Sequence, residues 1–307
     1  MYVSPDDARS DVILAAAATV LGGFAVAFLT RLPLYPQRGL LAMLLGVVWI
    51  LALTAVVPLL LSRYRGDRAA AFGLDGPRGA WVGGLVLAVP VALVGIVLEL
   101  FRSGQVTDVL LGRIGTAARL ATLFDAAATT TVVAGLRFAA LTVGTLALVG
   151  FLAVRGREAF RPTDVSLTQL VRTLGMGAAG AALVLGLLRS LGPGRPVPVL
   201  VNAVGLAVLV LLADRLVPAG RDVPRAAIVT PVVVVVVAHV FAAGGLFRGD
   251  LPLALYTGAL AAGTATVIAA LALTRDRAWA ILPLAVALHW WPTCLSPLAL
   301  ELGAALC

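Results

Sequence analysis

The sequence predicts an all-α fold, a polytopic bundle of transmembrane helices, and three observations carry that prediction. Hydrophobic residues make up 61% of the 307 and charged residues 12%, with a mean hydropathy of +1.05, whereas a water-soluble domain is roughly half apolar and a quarter charged. The apolar residues gather into nine runs, most of them near the roughly 20 residues a helix needs to cross the hydrocarbon core. No polar stretch between the runs is long enough to fold alone, so residues 1–307 read as a single membrane domain of about nine spans.

The runs cover 12–30, 40–62, 80–100, 132–154, 173–191, 197–213, 226–246, 252–274 and 278–295. Before the first lies MYVSPDDARSD, which is acidic. It lacks the basic start of a cleaved signal peptide, so the first run reads as a retained helix. The run at 197–213 is the shortest, at 17 residues. Two connections are long. Residues 103–129 set Val106, Val109, Leu110, Ile114, Leu120 and Leu123 beside Arg113 and Arg119, the pattern of an amphipathic helix lying in the interface. Residues 156–172 hold Ser166 and Gln169, a capping box opening the next helix. Gly175, Gly177, Ala179, Gly180 and Ala181, and then Ala261, Ala262 and Gly263, are small residues that let helices approach closely in lipid.

Orientation follows from arginine. Connections on the side of the N-terminus carry fourteen arginines, those on the other side eight, and lysine is absent. The positive-inside rule then gives an N-in, C-out protein of the cell membrane. The net charge of +8 lies in these connections, where it faces anionic lipid headgroups. The arginines are scattered a few per connection, which argues against nucleic acid as a partner. The missing lysine excludes Schiff-base chemistry.

Polar side chains at bilayer depth are costly, so each is a candidate functional residue. His239 and His289 lie thirteen and eleven residues from the N-terminal-side ends of their runs, and Asn202 eleven from its own. At 1.5 Å per residue all three sit roughly 16–20 Å deep. Two readings stay open: a shared polar site, or three groups each bonded to neighbouring backbone. No third His, Cys or carboxylate shares that depth, so neither metal nor cofactor is expected. Asp214, at a helix end beside Arg215, is the nearest acid and reads as half of an interfacial ion pair.

The stretches PRAAIVTPVVVVVVAHV, ending near His239, and LALTRDRAWAILPLAVALHWWPT, containing His289, have one run between them. Over 197–307 this pattern resembles the CPBP intramembrane proteases, relatives of the type II CAAX prenyl endopeptidases and of bacteriocin-processing and immunity proteins. That family carries EExxxR at a helix end, FxxxH on the next helix and HxxxN two helices later. RAAAFGLDGPRGAW, from residue 68, is similar to the loop before the family's middle helices. In this chain Val235 stands at the motif Phe and Thr293 at the motif Asn. The paired glutamates are replaced either by Val210 and Leu211 in VLLADRL or by Gly150 and Phe151 in GFLAVRG. The resemblance implies that His239 and His289, with Asp214 as the one acid nearby, hold the positions of catalytic groups. Asn202, Thr293 and Trp290 are the corresponding ligand contacts.

Without a glutamate a proton must be taken by His or not at all. The expectation is therefore a pseudoenzyme whose intramembrane polar pocket takes a lipid-like or peptide ligand or a membrane-protein partner. Three alternatives stay open. An active divergent endopeptidase needs Asp214 beside the histidines. A solute or lipid transporter needs internal repeats and broken helices. A structural membrane subunit needs an extended lipid-facing patch of small residues and no cavity.

Overall fold

The computed structural model describes residues 3–30, 32–34, 39–74, 81–103, 128–161, 165–190, 196–218, 222–242, 251–274, 278–291 and 293–298. The interfacial helix expected over 103–129 falls almost wholly outside them.

Among the described residues the long elements are helical, with one isolated bridge between Ser166 and Asp222. Helix α1 spans Pro5–Leu29. It begins seven residues ahead of its apolar run because Ser4 caps it, accepting from the Asp7 N–H, and Pro5 stands at its first position; both are strong start signals. Helix α2 runs Gly39–Leu51, a π turn over Ala52–Val56, then Val57–Arg65. Helix α3 is Trp81–Ser103. Helix α4 runs Ala128–Thr145, a π turn over Leu146–Gly150, then Phe151–Ala159. Helix α5 opens at Leu167–Leu170, passes a π turn at Val171–Met176 and continues as Gly177–Ser190. Its cap is the expected one, with the Ser166 hydroxyl accepting from the Gln169 N–H at 3.2 Å.

Helix α6, Pro196–Leu216, is longer than its apolar run. It carries on through Asp214 and Arg215, which end it at a charged boundary. Helices α7, Ala226–Ala242, α8, Leu251–Leu273, and α9, Ile281–Trp290, follow. Helix α9 stops because Trp291 is extended, with φ −83° and ψ 145°, as the residue before a proline prefers. Among the described residues seven helices are long and apolar enough to cross a membrane, and the stretches Ala226–Val240 and Ala278–Trp290 are apolar but shorter. The short helices are thus the two that carry the histidines, not the run at 197–213.

Helix α8 is the axis of the bundle. It packs on α4, α5, α6 and α7, and from Leu260 to Leu273 every residue is buried. Helix α1 lies against α2, α4 and α7, and α9 lies between α3 and α4. The large exposed apolar side chains sit on the periphery, with Leu21 and Phe28 on α1, Leu60 on α2 and Leu93 on α3 as examples. That is the distribution of a bundle whose outer surface meets lipid.

Candidate functional site

Helix α4 organises the interior, and its side chains can be read in layers. The outermost is Thr145. Its hydroxyl lies 2.8 Å from Nε2 of His289, and on the other side of the ring the Ser296 hydroxyl lies 3.3 Å from Nδ1. Ser296 also accepts from the Leu298 N–H at 3.2 Å. The imidazole is thus held between α4 and the segment that follows α9.

One turn along α4, Leu148 joins Thr19, Leu53, Thr54, His239 and Leu298 around a cavity of about 20 Å³. That is room for roughly one water molecule, far below the roughly 300 Å³ where ligand pockets begin. His239 is 2% exposed, and its Nδ1 lies 2.9 Å from the carbonyl oxygen of Val235 one turn earlier. A carbonyl only accepts, so Nδ1 carries the proton of this bond. The π turns of α2 and α4 meet here. Such turns rearrange the helix ladder and cluster at functional positions. The Leu53 carbonyl, in the π turn of α2, accepts from the Thr19 hydroxyl of α1 at 2.8 Å.

The two histidines are connected through the terminal segment. Leu298 lines the His239 cavity, and its N–H holds the hydroxyl that reaches His289. Their helices, α7 and α9, make no extensive contact with each other.

The next layer is Gly150 and Phe151. Phe72, from the connection after α2, packs on Phe151 with ring centroids 6.0 Å apart. The Phe72 carbonyl oxygen lies 3.1 Å from where a Cβ on Gly150 would stand. A side chain there would need the Phe72 backbone to give by a few tenths of an ångström.

Below it lies Arg155, fully buried. Its Nε faces Asp11 at 3.2 Å and its Nη1 faces Glu158 at 2.6 Å, its Nη2 binds Asp67, and its guanidinium lies 5.3 Å over the Phe151 ring. Arg65 joins the cluster through Asp11 at 3.1 Å and Asp7 at 2.9 Å. These contacts bring the start of α1 and the ends of α2 and α4 to one side. In sequence Arg155 is the arginine of GFLAVRG and one of the fourteen that set the orientation. Its burial had no sequence signal, since charges at helix ends ordinarily face water.

The remaining candidates are apart from this axis. Asn202 donates to the Pro198 carbonyl at 2.8 Å and accepts from the Cys294 N–H at 3.1 Å. Its amide thus ties α6 to the terminal segment through backbone and bonds neither imidazole. Asp214 accepts two bonds from Arg172, at 2.9 and 2.8 Å. The ion pair expected there exists, but with Arg172 of α5 in place of Arg215, because α5 starts where α6 ends. Asp214 is bonded to neither histidine. Trp290 packs edge-on against Phe138, with centroids 5.5 Å apart, and the buried Thr293 hydroxyl has no hydrogen-bond partner among the described residues. Among those residues no group of three His, Cys, Asp or Glu could hold a metal ion.

Comparison with protein-family models, with curated proteins and with solved structures finds no match for this chain.

Proposed function

We propose that the chain is a divergent CPBP-like protein of the cell membrane, N-in and C-out with nine spans, that binds a membrane-protein partner and does not cleave peptides. One observation carries this reading: Phe72 packed on Gly150 and Phe151 beneath the His239 cavity. If GFLAVRG occupies the place of the paired glutamates, the space a catalytic carboxylate would need is filled by an aromatic ring. Asp214, the acid an active endopeptidase would require, is held by Arg172. The cavity at His239 is water-sized, which favours a partner on the outside of the bundle over a lipid-like or peptide ligand inside it.

The test is direct. Purified protein in nanodiscs is incubated with a prenylated peptide and with a leader-type peptide, and products are followed by mass spectrometry. No cleavage is expected. Cleavage that stops on His239→Ala would overturn the reading and restore the endopeptidase.

A further inference from the structure

We propose that the connection from Gly66 to Leu74 is a displaceable plug that closes the interior of the bundle from the N-terminal side, latched by Asp67 on Arg155. Four features point to it.

The first is position. Phe72 reaches the Gly150–Phe151 layer of α4, and Leu148, which walls the His239 cavity, is one turn further in. The plug therefore ends about one helical turn from Leu148 in the cavity wall, without itself lining the cavity. The second is the pair of hinges. Gly66 and Gly73, both with φ 75°, are the positive-φ glycines of the described chain, and they bracket the plug. Hinge motion is absorbed at a few such element-terminal positions.

The third is the latch. When Asp67 leaves, Arg155 keeps Asp11 and Glu158, so opening breaks one ion pair without stranding the guanidinium as an uncompensated buried charge. Here the anchor is also incompletely satisfied: the second Asp67 carboxylate oxygen is buried without a hydrogen-bond partner. The fourth is the fit at the far end. A Cβ on Gly73 would come within 2.3 Å of the Ala272 carbonyl oxygen of α8, so the closed position is reached only by glycine. Opening would carry Phe72 away from Phe151 and expose the level beneath His239. The proposal rests on this geometry and not on the CPBP resemblance.

The test uses the full chain in nanodiscs. Leu148→Cys puts a thiol on the cavity wall, and its labelling by a water-soluble maleimide is read at that residue by mass spectrometry, so that Cys294 and Cys307 do not enter the reading. Labelling should be slow in Leu148→Cys alone. Adding Asp67→Asn should make it about tenfold faster, as expected when one charge-assisted bond is removed, and adding Gly73→Ala, which clashes with the Ala272 carbonyl, should also speed it. Equal rates in all three proteins would overturn the plug. Should the added substitutions prevent folding, hydrogen exchange on the unaltered chain decides. The Ala70 and Gly73 amides, bonded to the Asp67 and Ala70 carbonyls, should exchange together and well before those of residues 149–155. Exchange of these amides only when α4 itself exchanges would overturn it equally.

Discussion

Arg155 and Asp11 face each other 3.2 Å apart with both side chains fully sealed from solvent, on helices separated by most of the N-terminal half of the chain. Removing the guanidinium alone strands the buried Asp67 carboxylate and leaves Asp11 with Arg65 as its remaining cation. Arg155→Ala should therefore destabilise the protein by about 3–5 kcal/mol. The triple substitution Arg155→Met, Asp11→Ala, Asp67→Ala should recover most of the loss. Denaturant titration in mixed micelles measures both, and a triple variant no more stable than the single one would contradict the argument.

The Thr145–His289 contact should be visible as coupling. Thr145→Val keeps the shape and removes the hydroxyl, and the loss should be about 1 kcal/mol. Combined with His289→Ala in a double-mutant cycle, a coupling of similar size is expected. Additive losses would show that the bond contributes nothing.

His239 should be found with its proton on Nδ1, since that nitrogen faces a carbonyl that can only accept. Ring ¹⁵N chemical shifts of histidine-labelled protein distinguish the tautomers. A proton on Nε2 with a bare Nδ1 would be incompatible with the bond to Val235.

Asn202→Leu should loosen the terminal segment. It removes the acceptor for the buried Cys294 N–H, at a cost of about 1–3 kcal/mol. Amides of residues 293–298 should exchange faster than in the parent protein while those of α8 do not change.

At Arg172 and Asp214 the two halves of one pair are unequally placed, with Arg172 67% exposed at its side chain and Asp214 only 6%. Deleting the arginine strands a buried carboxylate, whereas Asp214→Asn leaves a neutral amide. Arg172→Ala should lower the unfolding temperature more than Asp214→Asn does.

Much of this architecture was legible in the sequence, and the rest failed for identifiable reasons. Each of the nine apolar runs corresponds to a helix, because length and apolarity are properties of a segment alone. The Ser166–Gln169 cap was readable for the same reason. Neighbour relations were not. Arg155, Asp11 and Asp67 look in sequence like solvated charges at helix ends, and only the packing of α1 against α4 buries them. Asp214 was assigned to its chain neighbour because nothing in VLLADRL reveals that α5 begins beside it. The helix lengths erred where the boundary was set by local chemistry rather than hydropathy: α6 runs on past its apolar stretch to Arg215, and α9 ends early before Pro292. Phe72 was seen only as part of a loop resemblance, since its contact with Phe151 spans nearly eighty residues.

Helix α8 meets protein on nearly every side, which has a consequence for biogenesis. Its buried residues are mostly Ala, Gly and Thr, interleaved with Leu260, Val267, Ile268 and Leu271, and Thr257, Thr264 and Thr266 each return a bond to a carbonyl of their own helix. Such a segment gains little by facing acyl chains and much by entering a waiting shaft. The helices it packs on most, α4 to α7, all precede it in the chain, so a chain truncated after α7 is expected to expose the faces α8 covers and to be degraded faster than the longer one.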